Sequence, residues 1–132
     1  MKKQINVVGA ILIDDGKILC AQRSQTMSLP NLWEFPGGKI ELNETPQIAL
    51  KRELTEELLI EVNVVETPFE STTYEYEFGI VTLTTFICQL VSGTPQLIEH
   101  QAIKWLSPHY LMSLEWAPAD IPAVEKIMKE AI

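Results

Sequence analysis

Three glutamates, Glu53, Glu56 and Glu57, are spaced so that a helix would place them on one patch of its surface. An α-helix turns about 100° per residue, so their carboxylates fall within an arc of roughly 100°. Like charges one turn apart repel, and solvent or a cation must offset that repulsion. Carboxylate oxygens suit Mg²⁺ or Mn²⁺, and Mg²⁺ typically joins a few carboxylates to substrate phosphates. The cluster therefore indicates either a metal site for a phosphorylated substrate or a solvated acidic helix face.

The residues before these glutamates predict where the helix begins. Gly37 and Gly38 lack a side chain, so their backbone can approach a ligand closely. Thr45 can cap a helix and Pro46 suits its first position. Leucines then recur every fourth residue as one apolar stripe, namely Leu50, Leu54 and Leu58. The sequence predicts a helix over 46–58 whose carboxylates lie near a glycine backbone.

The full spacing of this stretch resembles the Nudix box, G-x5-E-x7-R-E-U-x-E-E-x-G-U, in which U is a bulky aliphatic residue. The matching positions are Gly38, Glu44, Arg52, Glu53, Leu54, Glu56, Glu57 and Ile60. Leu59 departs from the pattern, because the family has a glycine there. That position usually ends the helix with a positive φ, so the departure bears on the helix end rather than on the chemistry.

The resemblance extends beyond the box to the MutT-type branch of the family. The segment Trp33–Glu41 reads WEFPGGKIE, and the spacing of Arg23, Glu99 and Pro118-Ala119-Asp120 also matches that branch. The resemblance implies an α/β (α+β) Nudix fold, with a mixed β-sheet sandwiched between α-helices. It also implies that residues 1–132 form a single Nudix hydrolase domain.

The resemblance further implies which residues hold a metal and act in catalysis. The implied metal ligands are Gly37 through its carbonyl, Glu53, Glu56, Glu57 and Glu99. The implied catalytic residues are Glu53 and Glu56, and Glu53 is either the base that positions or deprotonates water or a further ligand. Mg²⁺ is the expected cofactor, with Mn²⁺ as an alternative. Arg52 and Glu44 are expected to form a structural ion pair.

A second set of positions matches the substrate-binding residues of MutT-like enzymes: Arg23, Glu34, Phe35, Gly37, Lys39, Phe78 and Asp120. Lys39 would touch phosphate. Phe35 and Phe78 would stack on a base, although ordinary core packing explains them equally well. An ionised Asp120 would accept a hydrogen bond from the amino group of cytosine or from N1 and N2 of guanine. Two substrates therefore stay open, an oxidised purine such as 8-oxo-dGTP and a cytidine nucleotide, CTP or dCTP.

The implied reaction is hydrolysis of a nucleoside triphosphate to a monophosphate and pyrophosphate, with a role in nucleotide pool sanitisation or DNA repair. One alternative is a Nudix hydrolase of ADP-ribose or dinucleoside polyphosphates. Another is a ligand-sensing Nudix domain without catalysis, but such domains usually lose the box carboxylates that this chain keeps.

Length, composition and charge limit the class of protein to which this chain can belong. The chain has 132 residues, 46% hydrophobic content and a formal charge of −8, which predicts a globular protein without a long nucleic acid partner. Cys20 and Cys88 lie in apolar runs and are expected to be free thiols of a cytoplasmic protein. No apolar run approaches the roughly 18 residues of a membrane span. Monomer and homodimer both stay open.

Hydrophobic periodicity predicts the remaining elements. Strands are expected over 5–13, 17–21, 32–35, 61–66, 70–78, 80–91 and 102–106, with a break at Gly79. A short helix should follow over 108–114. A linker is expected over 117–120, before an amphipathic helix marked by Ile121, Val124, Ile127, Met128 and Ala131. His100 and His109 are interpreted as surface residues.

Overall fold

A computed structural model describes residues 1–130 of the chain, so the predicted helical position Ala131 lies outside the described residues. The strands are β1 (Gln4–Asp14), β2 (Lys17–Gln22), β3 (Trp33–Glu34), β4 (Gly37–Lys39), β5 (Glu61–Val64), β6 (Glu70–Tyr76), β7 (Gly79–Ser92) and β8 (Ala102–Leu106). The α-helices are α1 (Pro46–Leu58) and α2 (Ile121–Glu130), and 3₁₀ helices cover Pro108–Ser113 and Pro118–Asp120. No helix within residues 1–130 is long and apolar enough to cross a bilayer.

The strands form one mixed sheet. Its main path runs in the order β3-β2-β1-β7-β5, while β4 pairs with β1, β6 with β7 and β8 with β2. The long β1 and β7 strands are parallel, in a register that runs from Gln4 opposite Ile80 to Ile13 opposite Gln89. The other pairings are antiparallel.

Alternation along β1 and β2 explains why helices cover both faces of this sheet, because successive side chains of a strand point to opposite faces. One face contributes Val8, Ala10, Leu12 and Leu19, which pack against Ala49, Leu50, Leu54 and Leu58 of α1. The other face contributes Ile11, Ile18 and Cys20, which pack against Ala123, Val124 and Ile127 of α2. The predicted mixed sheet between helices is confirmed. Cys20 and Cys88 are buried and free, as expected.

The helix that carries the glutamates begins and ends at the predicted residues. Thr45 Oγ1 accepts a hydrogen bond from the Ile48 N–H at 3.2 Å and caps α1. After Leu58, Leu59 adopts the left-handed conformation with a φ of 57°, and its N–H bonds to the Thr55 carbonyl at 3.1 Å. A leucine therefore takes the conformation that usually belongs to glycine.

The double glycine lies in a strand rather than in a loop. β4 pairs with β1, with Gly37 opposite Gly9 and Gly38 opposite Val8. A Cβ atom on Gly37 would lie 1.9 Å from the Val8 carbonyl oxygen, so no larger residue fits without backbone movement. This pairing fixes the glycine backbone immediately before the loop that leads into α1.

Two sequence-based predictions about connections were wrong. The two strands predicted around Gly79 form the β6–β7 hairpin, but Gly79 begins β7 and the turn lies at residues 77 and 78 instead. A Cβ atom at Gly79 would lie 2.9 Å from Ile5 Cδ1, so the glycine allows close packing instead. The predicted linker over 117–120 is a buried 3₁₀ helix that continues into α2, because small alanines let this segment pack tightly.

Candidate active site

One cleft of about 320 Å³ opens beside β4 and is lined by residues from most of the chain. Its acidic end contains Gly37, Gly38, Lys39 and Glu57. Its apolar end contains Phe35, Tyr76, Phe78, Leu83, Ala119 and Asp120. Arg23 and Glu34 also line the cleft. The mixture of a carboxylate-bearing end and an aromatic end is typical of a site for a ligand with both charged and flat apolar parts.

Glu57 is the acidic residue placed most deeply in the cleft. The residue is 8% exposed, and its Oε2 atom has no hydrogen-bond partner among residues 1–130. Burial, together with the nearby carboxylates of Glu53, Glu34 and Glu99, raises the pKa of Glu57 to about 9. A buried oxygen that lacks a donor and faces like charges needs either a proton or a cation. This environment fits a hard divalent cation held by oxygen ligands.

Glu53 lies directly against the glycine backbone. A Cβ atom on Gly38 would come within 2.1 Å of Glu53 Oε2, so only glycine leaves room for this carboxylate. Glu53 Oε1 accepts a hydrogen bond from Arg52 Nη1 at 2.7 Å. Burial raises the pKa of Glu53, while the bond from Arg52 acts in the opposite direction. β4 and α1 therefore place a partly desolvated carboxylate beside the acidic end of the cleft.

Arg52 connects the helix to the loop before it. Its Nε and Nη2 atoms bond to Glu44 Oε2 and Oε1 at 2.6 Å and 2.9 Å, and Nη2 also bonds to the Lys39 carbonyl at 3.0 Å. Nη1 reaches Glu56 Oε1 at 3.3 Å. The hydrogen bonds from Arg52 lower the pKa of Glu44. The structure thus forms the expected ion pair, which positions Glu53 and Glu56 on α1.

The remaining predicted ligands, Glu56 and Glu99, are more exposed, and Glu99 lies near enough to Glu57 to raise the pKa of that buried carboxyl group. The side chain of Glu56 is 58% exposed, and Glu99 is an exposed residue of the segment before β8. Within residues 1–130, no three His, Cys, Asp or Glu side chains already form a group that could hold a metal ion. Glu53 and Glu56 both accept hydrogen bonds from Arg52 Nη1. The ligand set of Gly37, Glu53, Glu56, Glu57 and Glu99 stays a prediction.

Asp120 is the polar group of the apolar end. It is 6% exposed, and Oδ2 accepts the Phe35 N–H at 3.0 Å, whereas Oδ1 accepts no hydrogen bond within residues 1–130. Burial raises the pKa of Asp120 well above its ordinary range, and the Glu34 carboxylate adds to this effect. The free oxygen can therefore meet a ligand either as an acceptor or, when protonated, as a donor.

Aromatic rings surround this carboxyl group. Phe35 is buried in the core against Trp116, with ring centroids 4.8 Å apart, and also lines the cleft. Phe78 is half exposed and stacks on Tyr76 at 5.1 Å with an interplanar angle of 5°. The Tyr76 hydroxyl accepts the Ala119 N–H at 2.8 Å, next to Asp120. Tyr76 was not among the predicted site residues, although it lies two residues before Phe78 in the strand predicted over 70–78, a spacing that puts both rings on one face.

Arg23 and Glu34 are joined by a hydrogen bond at 2.8 Å between Nη1 and Oε1. Glu34 Oε2 lies 2.8 Å from His100 Nε2. His100 is buried, so its interpretation as a surface residue was wrong. The segment before β8 turns inward here, since the Gln101 N–H bonds to the Gln22 carbonyl at 3.0 Å. No sequence signal marked this histidine, because only the folded chain brings it to Glu34.

Comparison with known proteins gives concordant results. A model of the NUDIX domain matches residues 3–127. The chain is 45% identical over 126 residues to CTP pyrophosphohydrolase of Escherichia coli K12, covering 96% of this chain and 93% of that protein. It is 34% identical over 129 residues to 8-oxo-dGTP diphosphatase of the same strain, covering 98% and 99%. It also resembles the solution NMR structure of DNA mismatch repair protein MutT from methicillin-resistant Staphylococcus aureus 252, with a TM-score of 0.80, 58% identity and coverage of 98% and 99%.

Proposed function

This chain belongs to the NUDIX family of hydrolases, and from that premise we propose that it hydrolyses a nucleoside triphosphate to a nucleoside monophosphate and pyrophosphate with the help of Mg²⁺ or Mn²⁺. The observation that carries this proposal is the two-ended cleft. Its acidic end contains the unpartnered Glu57 oxygen beside Gly37 and Gly38, and its apolar end contains aromatic rings around Asp120. A nucleotide has the same division between charged phosphates and a flat base.

The acidic end supports a division of roles. Glu53, Glu56, Glu57, Glu99 and the Gly37 carbonyl would hold the metal. When bound, Mg²⁺ supplies positive charge that neutralises the phosphates. Glu53 is the candidate to take the proton of the attacking water or to orient that water, because its carboxylate is partly desolvated and held by Arg52. Lys39 lines the cleft at the same end and would contact phosphate.

The apolar end supports cytidine nucleotides as the first substrate class. The free Asp120 oxygen is suited to accept a hydrogen bond from the N4 amino group of cytosine. The relative with the cytidine substrate in its name is also the more similar of the two curated relatives described above.

An oxidised guanine nucleotide is the second candidate, and one observation favours it. Burial keeps a proton on Asp120 over a wider pH range than usual, and a protonated carboxyl can donate to O6 of the purine. We further propose that residues 1–132 act as one Nudix domain, and that the protein acts on the cytoplasmic nucleotide pool.

The test is hydrolysis with Mg²⁺ of CTP, dCTP, 8-oxo-dGTP, dGTP, ADP-ribose and a diadenosine polyphosphate, with the products separated and identified by anion-exchange chromatography. We expect the highest kcat/KM among the cytidine triphosphates, with monophosphate and pyrophosphate as products. A preference for 8-oxo-dGTP would support the proposed reaction but would make oxidised guanine, rather than cytosine, the preferred base. Activity on ADP-ribose alone, or on none of the six compounds, would contradict the proposal. A Glu57→Gln protein prepared in parallel reports any contaminating hydrolase.

A further inference from the structure

His100 is the feature of the cleft region that the proposed roles do not use. The residue is 4% exposed, and its ring bonds to Glu34 while its Nδ1 atom finds no hydrogen-bond partner in the described part of the chain, residues 1–130. The imidazole Nε2 atom and Glu34 Oε2 lie at hydrogen-bonding distance, so the ring can donate to this carboxylate. A buried ring nitrogen without a partner costs stability. A well-packed apolar residue would avoid that cost. The contact with Glu34 therefore explains the histidine better than core packing does.

Each carboxylate oxygen of Glu34, the residue that His100 holds, has a hydrogen-bond partner in the protein. One of its carboxylate oxygens bonds to His100 and the other to Arg23, each at 2.8 Å. Arg23 in turn bonds through Nε to the Ser28 carbonyl at 2.6 Å and through Nη2 to the Ser28 hydroxyl at 3.0 Å. A continuous chain of hydrogen bonds therefore runs from His100 to the loop over 24–32.

That loop lines the cleft and depends on such contacts. Met27, Ser28 and Leu29 all line the cleft. Leu29 and Asn31 have positive φ angles of 52° and 67°, which for Leu29 in particular is an unfavourable backbone conformation. A loop of this kind keeps one conformation only when surrounding contacts determine it.

The segment that contains His100 makes a second contact with the same loop. Gln101, its neighbour, donates from Nε2 to Asn31 Oδ1 at 2.9 Å. Glu34 also lies close enough to both ends of the cleft to influence Glu57 and Asp120 electrostatically. The hydrogen-bonded chain is therefore located where the two ends of the cleft meet.

We propose that His100 is a positioning residue for the base-binding end of the cleft, because it holds Glu34 so that Arg23 and the loop over 24–32 keep the shape that selects the base. The inference rests on the proposed function for its substrate. His100 does not contact the reacting atoms in this proposal, and it acts through Glu34 and Arg23.

The test compares His100→Leu with His100→Gln. Leucine fills the space without a donor, whereas the glutamine amide can donate to Glu34. For His100→Leu we expect KM for the preferred triphosphate to rise about tenfold, kcat to change less than about threefold, and discrimination between cytidine and oxidised guanine nucleotides to shrink about tenfold. His100→Gln should restore most of the native KM and most of the native discrimination between the two bases.

Two controls separate positioning from general damage. His109→Leu changes an exposed histidine outside the cleft and should behave as the native protein. Val62→Ala removes buried volume in β5, away from the cleft, and should lower the thermal midpoint without changing KM or base discrimination. If His100→Leu alters kcat and KM as Val62→Ala does, the histidine is merely structural and the inference fails.

A spectroscopic readout makes the test independent of activity. The Arg23 Nε–H should give an exchange-protected NMR signal, because it bonds to the Ser28 carbonyl. We expect His100→Leu to abolish that protection and His100→Gln to retain it. Unchanged protection in His100→Leu would overturn the inference. If the native protein hydrolyses none of the nucleotides, the proposed function fails, but this NMR comparison still decides whether His100 positions Arg23.

Discussion

At the scale of single residues, Glu57 and Asp120 share one property, a carboxyl group buried in the cleft wall with one oxygen that accepts no hydrogen bond from the described residues. Burying such groups is unfavourable unless a ligand or a proton compensates. Their positions at the acidic and apolar ends give each a different proposed ligand, a cation for Glu57 and a base for Asp120. Each assignment leads to a substitution that leaves the fold intact.

Replacing Glu57 with Gln should weaken metal binding without destabilising the fold. The amide has nearly the same shape but no charge, so we expect affinity for Mn²⁺ to fall at least tenfold and kcat to fall about 100-fold or more. The metal-free variant should melt no lower than the native protein, because burying the carboxyl group above pH 4.5 requires uptake of a proton, whereas the amide is neutral in both states. Calorimetric titration and steady-state kinetics measure both effects. Glu61→Gln, at an exposed glutamate of β5, is the matched control and should match the native protein.

Replacing Asp120 with Asn should change the choice of base more than the rate on the best substrate. The amide oxygen can still accept the Phe35 N–H, so the segment keeps its place. The other end of the side chain becomes a permanent donor, and we expect the ratio of kcat/KM between CTP and 8-oxo-dGTP to change about tenfold. An equal loss on every nucleotide would mean that Asp120 does not read the base.

At the scale of elements, the site depends on how closely β4 approaches β1 and α1. Gly37 faces the backbone of β1, and Gly38 faces the Glu53 side chain of α1. The two glycines are adjacent but serve different contacts, one within the sheet and one in the site. An alanine substitution at Gly37 should therefore affect stability, whereas one at Gly38 should affect activity.

For Gly37→Ala we expect a large loss of thermal stability, since the added Cβ would collide with the Val8 carbonyl. For Gly38→Ala we expect a folded protein with strongly reduced kcat, because the added Cβ displaces the flexible Glu53 carboxylate. Thermal melts and initial rates of the two purified variants provide the comparison. Equal stability losses in both variants would contradict this division of roles.

The end of α1 gives a second prediction at this scale. Leu59 holds a left-handed conformation that costs a non-glycine residue about 1 kcal/mol. Leu59→Gly should therefore be more stable than Leu59→Ala by about 1 kcal/mol, or roughly 3–5 °C in the thermal midpoint. The alanine variant is the proper reference, because both changes remove the same half-exposed side chain. An alanine variant as stable as the glycine variant would show that the backbone conformation carries no strain.

At the scale of the whole molecule, stability and metal binding are linked through the buried acids. The folded protein raises the pKa of Glu57 from 4.5 to about 9, whereas the unfolded chain ionises near 4.5. This group therefore contributes stability below pH 4.5 that is lost as the pH rises towards 9. Asp120, with its raised pKa, contributes in the same direction.

We accordingly expect the thermal midpoint of the protein in EDTA to fall as the pH rises from 5 to 9. Saturating Mg²⁺ should oppose the fall, because a bound cation stabilises the ionised form of Glu57. Glu57→Gln should show a shallower decline and little response to Mg²⁺. Melting curves at five pH values, with and without metal, test the expectation. A flat native profile in EDTA would show that Glu57 is not desolvated.

The local sequence was enough to predict most elements. The bounds of α1 followed from Thr45, Pro46 and the leucine stripe, since capping and helical periodicity act over a few residues. Alternating apolar residues likewise predicted the sheet strands. The turn at 77–78 and the buried segment over 117–120 were missed, because close packing against Ile5 and Tyr76 decided them.

The sequence by itself determined the chemical groups available to this protein. The spacing of the box glutamates, Arg52 and the double glycine places the glutamates on one face of a helix, next to the glycine backbone. Only the tertiary structure decided how those groups are used. It buried Glu57 and left Glu56 exposed, placed Asp120 under aromatic rings, and joined His100 to Arg23 through Glu34. Burial and hydrogen bonding between distant segments depend on how the sheet and helices pack, and no local pattern encodes them.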